Sequence, residues 1–473
     1  MLPKIIISSQ RKEKLSSAFL SGIPDFPPVE FITEEEKKYL SRKMESVTEC
    51  SVYKHPHLYF FTRTEKSKDV SSQRESARKS GSGLYGMLKT EKIKTIQILD
   101  DSDYSYTLSF IEGFLLSSYT FSKYKKDKDD YVPEEIFLVS NHVTEEQVRE
   151  LENLVQAVFH TRNLVNEPLS WLTATCFSEE MERMGNEAGF KVEILNRKKI
   201  EALRMGGLLA VNKGSIDPPT FTIMEWKPDV PVNNKPIVLV GKGVVYDTGG
   251  LSLKPTPKSM DYMKSDMAGG AVVASVLYAI AKNRLPVHVI GLVPATDNRP
   301  DGNAYVPGDV ITMFDGTSVE IRNTDAEGRL LLADALSYAK RYDPLLVVDV
   351  ATLTGSAEII TGPHALAAMG NSPEFLLKMK QAGEETFERM VELPLWEEYA
   401  KPLKSAIADM NNLGVREGQT SIAGKFLEHF TSYPWLHLDI AGVAYYHEKE
   451  GYRPEGGTGF GTRLLYHFLK LFN

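Results

Sequence analysis

The octapeptide Asn323-Thr324-Asp325-Ala326-Glu327-Gly328-Arg329-Leu330 sets two carboxylates and a guanidinium immediately before an apolar helical stretch. A second polar segment follows the apolar run 237–240: Lys242, then Asp247-Thr248-Gly249-Gly250, then Lys254, and Asp266 at the start of another helical stretch. Four carboxylates, Asp247, Asp266, Asp325 and Glu327, therefore fall where strands end or helices begin. Gathered in one place they could not all stay ionised without cations, because like charges sharing a site suppress one another's ionisation. Two divalent ions would balance them. Neither segment contains His or Cys, so the coordination would be oxygen-rich, which suits Mg, Mn or Zn.

Simpler readings account for parts of this. Asp247 is a reasonable turn residue before a glycine pair, and Asp266 is favourable near a helix N-terminus. Thr324 to Glu327 spells a capping box, although capping leaves Arg329 and the other segment unexplained. A phosphate-binding loop fails, since no glycine precedes Gly241 at the required spacing and no Ser or Thr follows Lys242. Lys242 continues an apolar strand, where an ammonium is poorly solvated. Beside two dications a neutral amine becomes feasible, because moving a lysine from about 10.4 to about 7 costs roughly 4 to 5 kcal/mol. Lys242 could then ligate a metal, while Lys254, kept charged, polarises a substrate oxygen.

Positioning these groups requires strands that stop at one edge. Strand-like runs at 191–195, 220–225, 237–240, 287–293, 345–350 and 435–440 alternate with amphipathic helical stretches, including 268–282 and 330–341. That alternation predicts an α/β fold, a mostly parallel or mixed sheet with helices on both faces, and such sheets bind ligands beyond the carboxyl ends of their strands. Upstream, a helix is predicted from Thr144, whose Thr-Glu-Glu-Gln order fits a capping box, with Val148, Leu151, Leu154, Val155 and Val158 at helical spacing. Before it, runs at 52–62, 71–88, 95–99 and 106–117 suggest a smaller α/β domain, and the mixed-sign stretch 123–130 reads as a solvated loop. The expected organisation is an N-terminal α/β domain over 1–145, an interdomain helix over 146–168 and a catalytic domain over 169–473.

With 473 residues, 42% apolar and 25% charged, the chain has the composition of an ordinary multidomain globular protein. Its net charge of -8 argues against nucleic acid as a main partner. Two cysteines in no CxxC spacing support neither a disulfide framework nor a thiolate metal site, and fit a reducing, cytoplasmic setting. No stretch approaches the roughly 20 apolar residues of a membrane-spanning helix, and the N-terminus carries no signal-length apolar segment.

On these residues the chain resembles the leucyl aminopeptidases, the M17 cytosol aminopeptidase family. The octapeptide 323–330 matches the family signature, and the stretches 163–168, 306–310, 350–355, 437–442 and 456–461 are also similar. The N-terminal third resembles the family only loosely, best at 112–119, and the segment between Lys254 and Asp266 is one residue longer than the usual family spacing. The resemblance implies a metal-dependent aminopeptidase that removes N-terminal residues, leucine-like ones preferred, by attack of a metal-activated water on the first peptide bond. It implies two divalent ions per subunit, Mn2+ and/or Zn2+, one held by Asp247, Asp325 and Glu327 and the other by Lys242, Asp247, Asp266 and Glu327. Lys254 would stabilise the oxyanion, and Arg329 would hold a bicarbonate that acts as general base. Asp266 would contact the substrate amine, backbone around Thr352 and Leu353 would hold the scissile unit, and Met263, Thr352 and Gly355 would line the side-chain pocket. The expected partners are peptide substrates and copies of the same chain in a homohexamer.

Overall fold

A computed structural model describes residues 2–12, 14–21, 32–63, 69–100, 106–128 and 131–472. The chain divides into two compact units, one comprising 1–156 with 448–454 and the other 157–447 with 455–473.

In the first unit, β1 (Lys4–Ile7), β2 (Ser16–Ser21), β3 (Glu49–Lys54), β4 (His57–Arg63), β5 (Thr95–Asp100) and β6 (Glu135–Val139) form a sheet in the order β1-β6-β5-β2-β4-β3. It is parallel apart from β3, which pairs antiparallel with β4 at the edge. The run 52–62 is therefore two strands rather than one. Pro56 sits in the turn between them, as expected for a residue that has no N–H to donate to a ladder. The helices are α1 (Glu34–Met44), α2 (Val70–Glu91) and α3 (Thr107–Ser117), and α2 packs on α3 through a buried ion pair, Arg78 Nε to Glu112 Oε2 at 2.5 Å. Residues 123–128 are exposed, in keeping with a solvated loop, and Asp129 and Asp130 lie outside the described residues. The segment 448–454 belongs to this unit and is tied to it by Tyr452, whose hydroxyl donates to Glu75 Oε2 at 2.8 Å.

Helix α4 (Glu145–Asn166) starts with the anticipated capping box. Thr144 N–H donates to Gln147 Oε1 (3.0 Å), and Gln147 N–H donates to Thr144 Oγ1 (3.2 Å).

The second unit is built on β7 (Lys191–Leu195), β8 (Thr220–Trp226), β9 (Ile237–Gly241), β10 (Gly243–Asp247), β11 (Val289–Asn298), β14 (Leu346–Ala351), β15 (Leu366–Gly370), β16 (Met390–Glu392) and β18 (Trp435–Asp439). These run in the order β16-β15-β18-β14-β9-β11-β8-β7, with β10 paired to β11. A small sheet of β12 (Val310–Thr312), β13 (Ser318–Glu320) and β17 (Met410–Asn411) stands beside it. The four central strands β18, β14, β9 and β11 are parallel, so their carboxyl ends share one edge. Every residue of β9 and β14 is buried, as near-continuous apolar runs in a sheet covered on both faces should be.

Helices α5 (Ala174–Ala188), α6 (Arg197–Leu203), α7 (Gly206–Asn212), α8 (Ala268–Lys282), α9 (Gly328–Ala339), α10 (Gly355–Thr361), α11 (Pro373–Thr386), α12 (Gln419–Glu428) and α13 (Thr462–Lys470) complete the unit. Alternation along β9 decides the layering. Val238 and Val240 point into the core formed with Leu330, Leu331, Leu336 and Phe426 of α9 and α12, whereas α8 packs with α5 and α13 on the other face.

Candidate metal centre

The polar groups of both segments lie at the strand-end edge of the second unit. Lys242 links β9 to β10, and Asp247 ends β10 rather than standing in a free turn. Asp266 follows a short 3-10 turn, Met260–Ser265, and precedes α8. Asp325 and Glu327 lie in the tight connection that runs into α9.

The chain approaches itself closely here, which glycine permits. A Cβ on Gly269 would stand 2.0 Å from the Val350 carbonyl, and one on Gly328 would stand 2.5 Å from Lys242 Cε and 2.7 Å from its Nζ. The glycine of the octapeptide thus clears the volume that the Lys242 side chain occupies.

The capping-box reading of Thr324 to Glu327 does not hold. Helix α9 has no side-chain cap bond. Thr324 Oγ1 instead donates to the Gly249 carbonyl (2.7 Å) and accepts from Ser252 N–H (2.8 Å), which joins the octapeptide to the glycine turn after Asp247. Two asparagines absent from the sequence-based site complete this scaffold. Asn298, the last residue of β11, donates through Nδ2 to Asp247 Oδ1 (2.8 Å) and to the Thr324 carbonyl (3.0 Å). Asn412 accepts from Arg322 N–H (2.8 Å) and donates to the Asn323 carbonyl (2.8 Å). A strand-terminal position was the only signal that could have marked Asn298, and nothing local marks Asn412.

Asp247, Asp325 and Glu327 can each present an oxygen such that all three lie within 4.8 Å of one another. Lys242 joins Glu327 to Asp266, its Nζ lying 2.9 Å from Glu327 Oε1 and 2.8 Å from Asp266 Oδ1. Lys254 is ion-paired with Asp247 Oδ2 at 3.0 Å and with Asp325 Oδ1. Six of the predicted residues therefore form one contiguous cluster. Asp247, Asp266, Glu327 and Lys242 are all at most 4% exposed.

The electrostatics follow from that burial. Asp325 is pushed up to about 7, first by burial and then by Asp247, with Lys254 opposing. Burial likewise raises Asp266 well above the carboxylate range, against the pull of Lys242. For Lys242 burial acts to lower the pKa, but Asp266, Glu327 and Asp247 outweigh it and hold the ammonium. Asp266 Oδ2 and Glu327 Oε2 are buried oxygens with no hydrogen-bond partner among the described residues. Crowded carboxylates, carboxyl oxygens left without donors and two lysines drawn in as counter-charges together fit a site for divalent cations.

Arg329, in the first turn of α9, is 3% exposed, and its Nε and Nη1 have no hydrogen-bond partner among the described residues. Burial lowers its pKa to about 10, with Glu327 and Asp439 resisting. Thr352, just past β14, donates from Oγ1 to Asp266 Oδ1 (2.8 Å) and accepts from Lys242 at its carbonyl (3.0 Å). Leu353 N–H is taken by Asp439 Oδ1 (3.1 Å). Met263 is half-buried on the 3-10 turn, where its carbonyl accepts from Asp266 N–H at 3.2 Å. Gly355 is exposed at the start of α10, with nothing within 4 Å of where a Cβ would stand.

Comparison with known proteins shows the family of the chain. Residues 159–466 match the model of the cytosol aminopeptidase family, catalytic domain. A probable cytosol aminopeptidase of Chloroherpeton thalassium is 48% identical over 65% of this chain and 61% of its own length. One from Chlorobium limicola is 41% identical over 85% of this chain and 81% of its own. The structure of the bottromycin maturation enzyme BotP in complex with Mn superposes with a TM-score of 0.85 at 29% identity, covering 97% of this chain and 99% of that one. With its α/β architecture and its buried carboxylate cluster, the chain belongs to the cytosol aminopeptidase family as a metal-dependent aminopeptidase.

Proposed function

We propose that the protein cleaves N-terminal residues from peptides with two divalent ions, Mn2+ or Zn2+, bound in this cluster. Asp247, Asp325 and Glu327 would hold one ion, and Lys242, Asp247, Asp266 and Glu327 the other. The observation that carries the reading is the buried trio Asp247, Asp325 and Glu327, with its oxygens inside 4.8 Å, beside the unpartnered oxygens of Asp266 and Glu327. The Mn complex of BotP supports manganese. Once cations neutralise the carboxylates that hold Lys242 charged, burial alone acts on it and favours the neutral amine that a ligand requires. When bound, two such ions polarise the scissile carbonyl and acidify a water, the arrangement known for two-metal aminopeptidases.

The chain's own groups supply the remaining roles. Asp266 presents a buried oxygen to the free α-amine of the substrate, which confines cleavage to the first residue. Lys254 stabilises the developing oxyanion. Arg329, with two unengaged nitrogens, holds a bicarbonate that serves as general base. Met263, Thr352 and Gly355 line the pocket for a leucine-like side chain. Because Leu353 N–H and the Thr352 carbonyl are already engaged, the other backbone groups of Thr352 and Leu353 would hold the scissile unit.

By family resemblance we assign a homohexamer in the cytoplasm whose catalytic domain is 169–473. The names of the relatives favour the compartment, and no described helix is long and apolar enough to cross a membrane. The net charge of -8 disfavours a nucleic-acid partner. The test is hydrolysis of leucine anilide and a panel of aminoacyl dipeptides before chelation, after it, and after adding back Mn, Zn or Co. Cleavage that is insensitive to chelation would sink the two-metal mechanism.

A further inference from the structure

We infer that Asp439, which lies outside the metal cluster, is a positioning residue for the aminopeptidase reaction: it fixes the Thr352–Leu353–Thr354 link beside the cluster. The link is three residues long, between the end of β14 and the start of α10. Thr352 faces the cluster, bound to Asp266 and Lys242. The next two residues are held from the other side by one carboxylate. Asp439 Oδ1 accepts from Leu353 N–H (3.1 Å) and Ala441 N–H (3.2 Å), and Oδ2 accepts from Thr354 Oγ1 (2.7 Å).

Thr354 in turn caps α10, its Oγ1 accepting from Ala357 N–H at 3.2 Å. Asp439 ends β18 directly opposite Ala351 of β14, so the clamp is anchored in the sheet itself. A link this short, pinned on both sides, has little freedom to drift, and the ligands Lys242 and Asp266 share its Thr352 anchor.

Burial raises the Asp439 carboxyl above the usual carboxylate range, against the pull of His437 and of its three hydrogen bonds. Asp439 is 1% exposed and lies two residues from His437, which pairs with Asp349 across the sheet. Asp349 accepts from His437 Nδ1 (2.6 Å) and from Trp435 Nε1 (2.7 Å), His437 and Arg329 both feel the Asp439 charge, and Arg329 also feels Glu327. Arg329 makes no hydrogen bond from Nε or Nη1 among the described residues, and Glu327, Asp439 and Asp325 oppose the fall that burial imposes on its pKa. Through its hydrogen bonds Asp439 fixes the Leu353–Thr354 backbone beside the cluster.

This role rests on the proposed aminopeptidase reading, and its test keeps the two separable. Asp439→Ala removes all three bonds, whereas Asp439→Asn can keep them, with its carbonyl oxygen toward the amides and its amide group donating to Thr354 Oγ1. Thr354→Val loses the hydroxyl's bonds to Asp439, Ala357 N–H and Thr420 without touching charge, and Thr354→Ser restores them. The measurements are kcat and KM for leucyl dipeptides, Mn2+ affinity by calorimetry on the metal-stripped protein, and thermal melting.

We expect Asp439→Asn to melt close to the wild type and keep most of its kcat, and Asp439→Ala to bind Mn2+ within about threefold of the wild type. In Asp439→Ala kcat should fall on the order of 100-fold with KM little changed, the size of penalty that roughly 1 Å of misplacement brings. Thr354→Val should lose kcat, and Thr354→Ser should recover it. Wild-type kcat in Asp439→Ala, or losses in Asp439→Ala and Thr354→Val that merely track melting, would overturn the positioning role. A wild type without chelator-sensitive activity would instead overturn the proposed function.

Discussion

Replacing Glu327 with Gln tests whether the octapeptide carboxylate serves a metal or only the fold. The side chain keeps its shape and loses its charge. In the metal-free protein that charge repels Asp247 and Asp325, whose oxygens lie within 4.8 Å, by roughly 3.5 kcal/mol each at an effective dielectric of about 20, or about 7 together. It attracts Lys242 at 2.9 Å by roughly 6 kcal/mol on the same scale. The two nearly cancel; Asp266 adds to the repulsion, Lys254 and Arg329 add to the attraction, and Lys242 keeps Asp266. No helix cap is lost either, since α9 takes no side-chain bond from Glu327.

Glu327→Gln without metal should therefore unfold within about 2 kcal/mol of the wild type. With metal the balance changes, because the repelling neighbours become co-ligands of a cation. At a Mn2+ concentration about 100 times its Kd the wild type should gain about 2.7 kcal/mol. The variant should lose most of that gain, together with about 100-fold or more of kcat. The assay is thermal melting with and without Mn2+, followed by steady-state turnover of a leucyl substrate. A variant that melts like the wild type in Mn2+ and turns over normally would refute the metal assignment of Glu327.

Gly328→Ala should abolish turnover while leaving the N-terminal unit folded, because its Cβ would occupy the place of Lys242 Cε and Nζ; restored Mn2+-dependent activity in that variant would contradict the packing argument. Lys254→Met should lower kcat more than KM, by about 100-fold, as loss of an oxyanion partner does; a pure KM effect would reassign the residue to binding. Asp334 is fully buried, accepting from Leu208 N–H (3.0 Å) and Phe314 N–H (2.9 Å), and burial, with Asp315 adding, lifts it to about 7. Its folded pKa exceeds its unfolded value, so ionisation favours the unfolded chain. Between about pH 4 and 7 the wild type should lose stability relative to Asp334→Asn by up to about 1.4 kcal/mol per pH unit, and urea titrations of both proteins at pH 5 and pH 7 showing a constant difference would refute this.

The parts of the protein that are legible in its sequence are those coded locally. Continuous apolar runs mark β9 and β14, because a strand buried on both faces needs apolar side chains on both. The Thr-Glu-Glu-Gln order marks the start of α4, because a capping box is made within four residues. The carboxylates and lysines of the site are legible because ionisable groups at strand ends and helix starts have few other uses in such density. The run 52–62 reads as a single strand but folds as two, since its strand-forming residues lie on both sides of the Pro56 turn. Thr324 and Glu327 spell a cap that does not form, because the Thr324 hydroxyl finds Gly249 and Ser252, more than 70 residues away, instead of its own helix.

Which residues of the two polar segments meet was decided only by tertiary structure. Parallel pairing of β9 with β11 and β14 brings Lys242 and Asp247 to the edge where Asp266, Asp325 and Glu327 also arrive. Asn298, Asn412 and Asp439 act there through hydrogen bonds to residues that are distant in the chain, so beyond the strand-terminal place of Asn298 and the family-like stretch around Asp439 nothing in their neighbourhoods announces those bonds. Amino-acid type determined which groups could bind a cation. Their few-ångström convergence, and the burial that leaves some of their oxygens without partners, belong to the packed sheet and its helices, because solvation and distance set the energy of a charge and neither is written in sequence order.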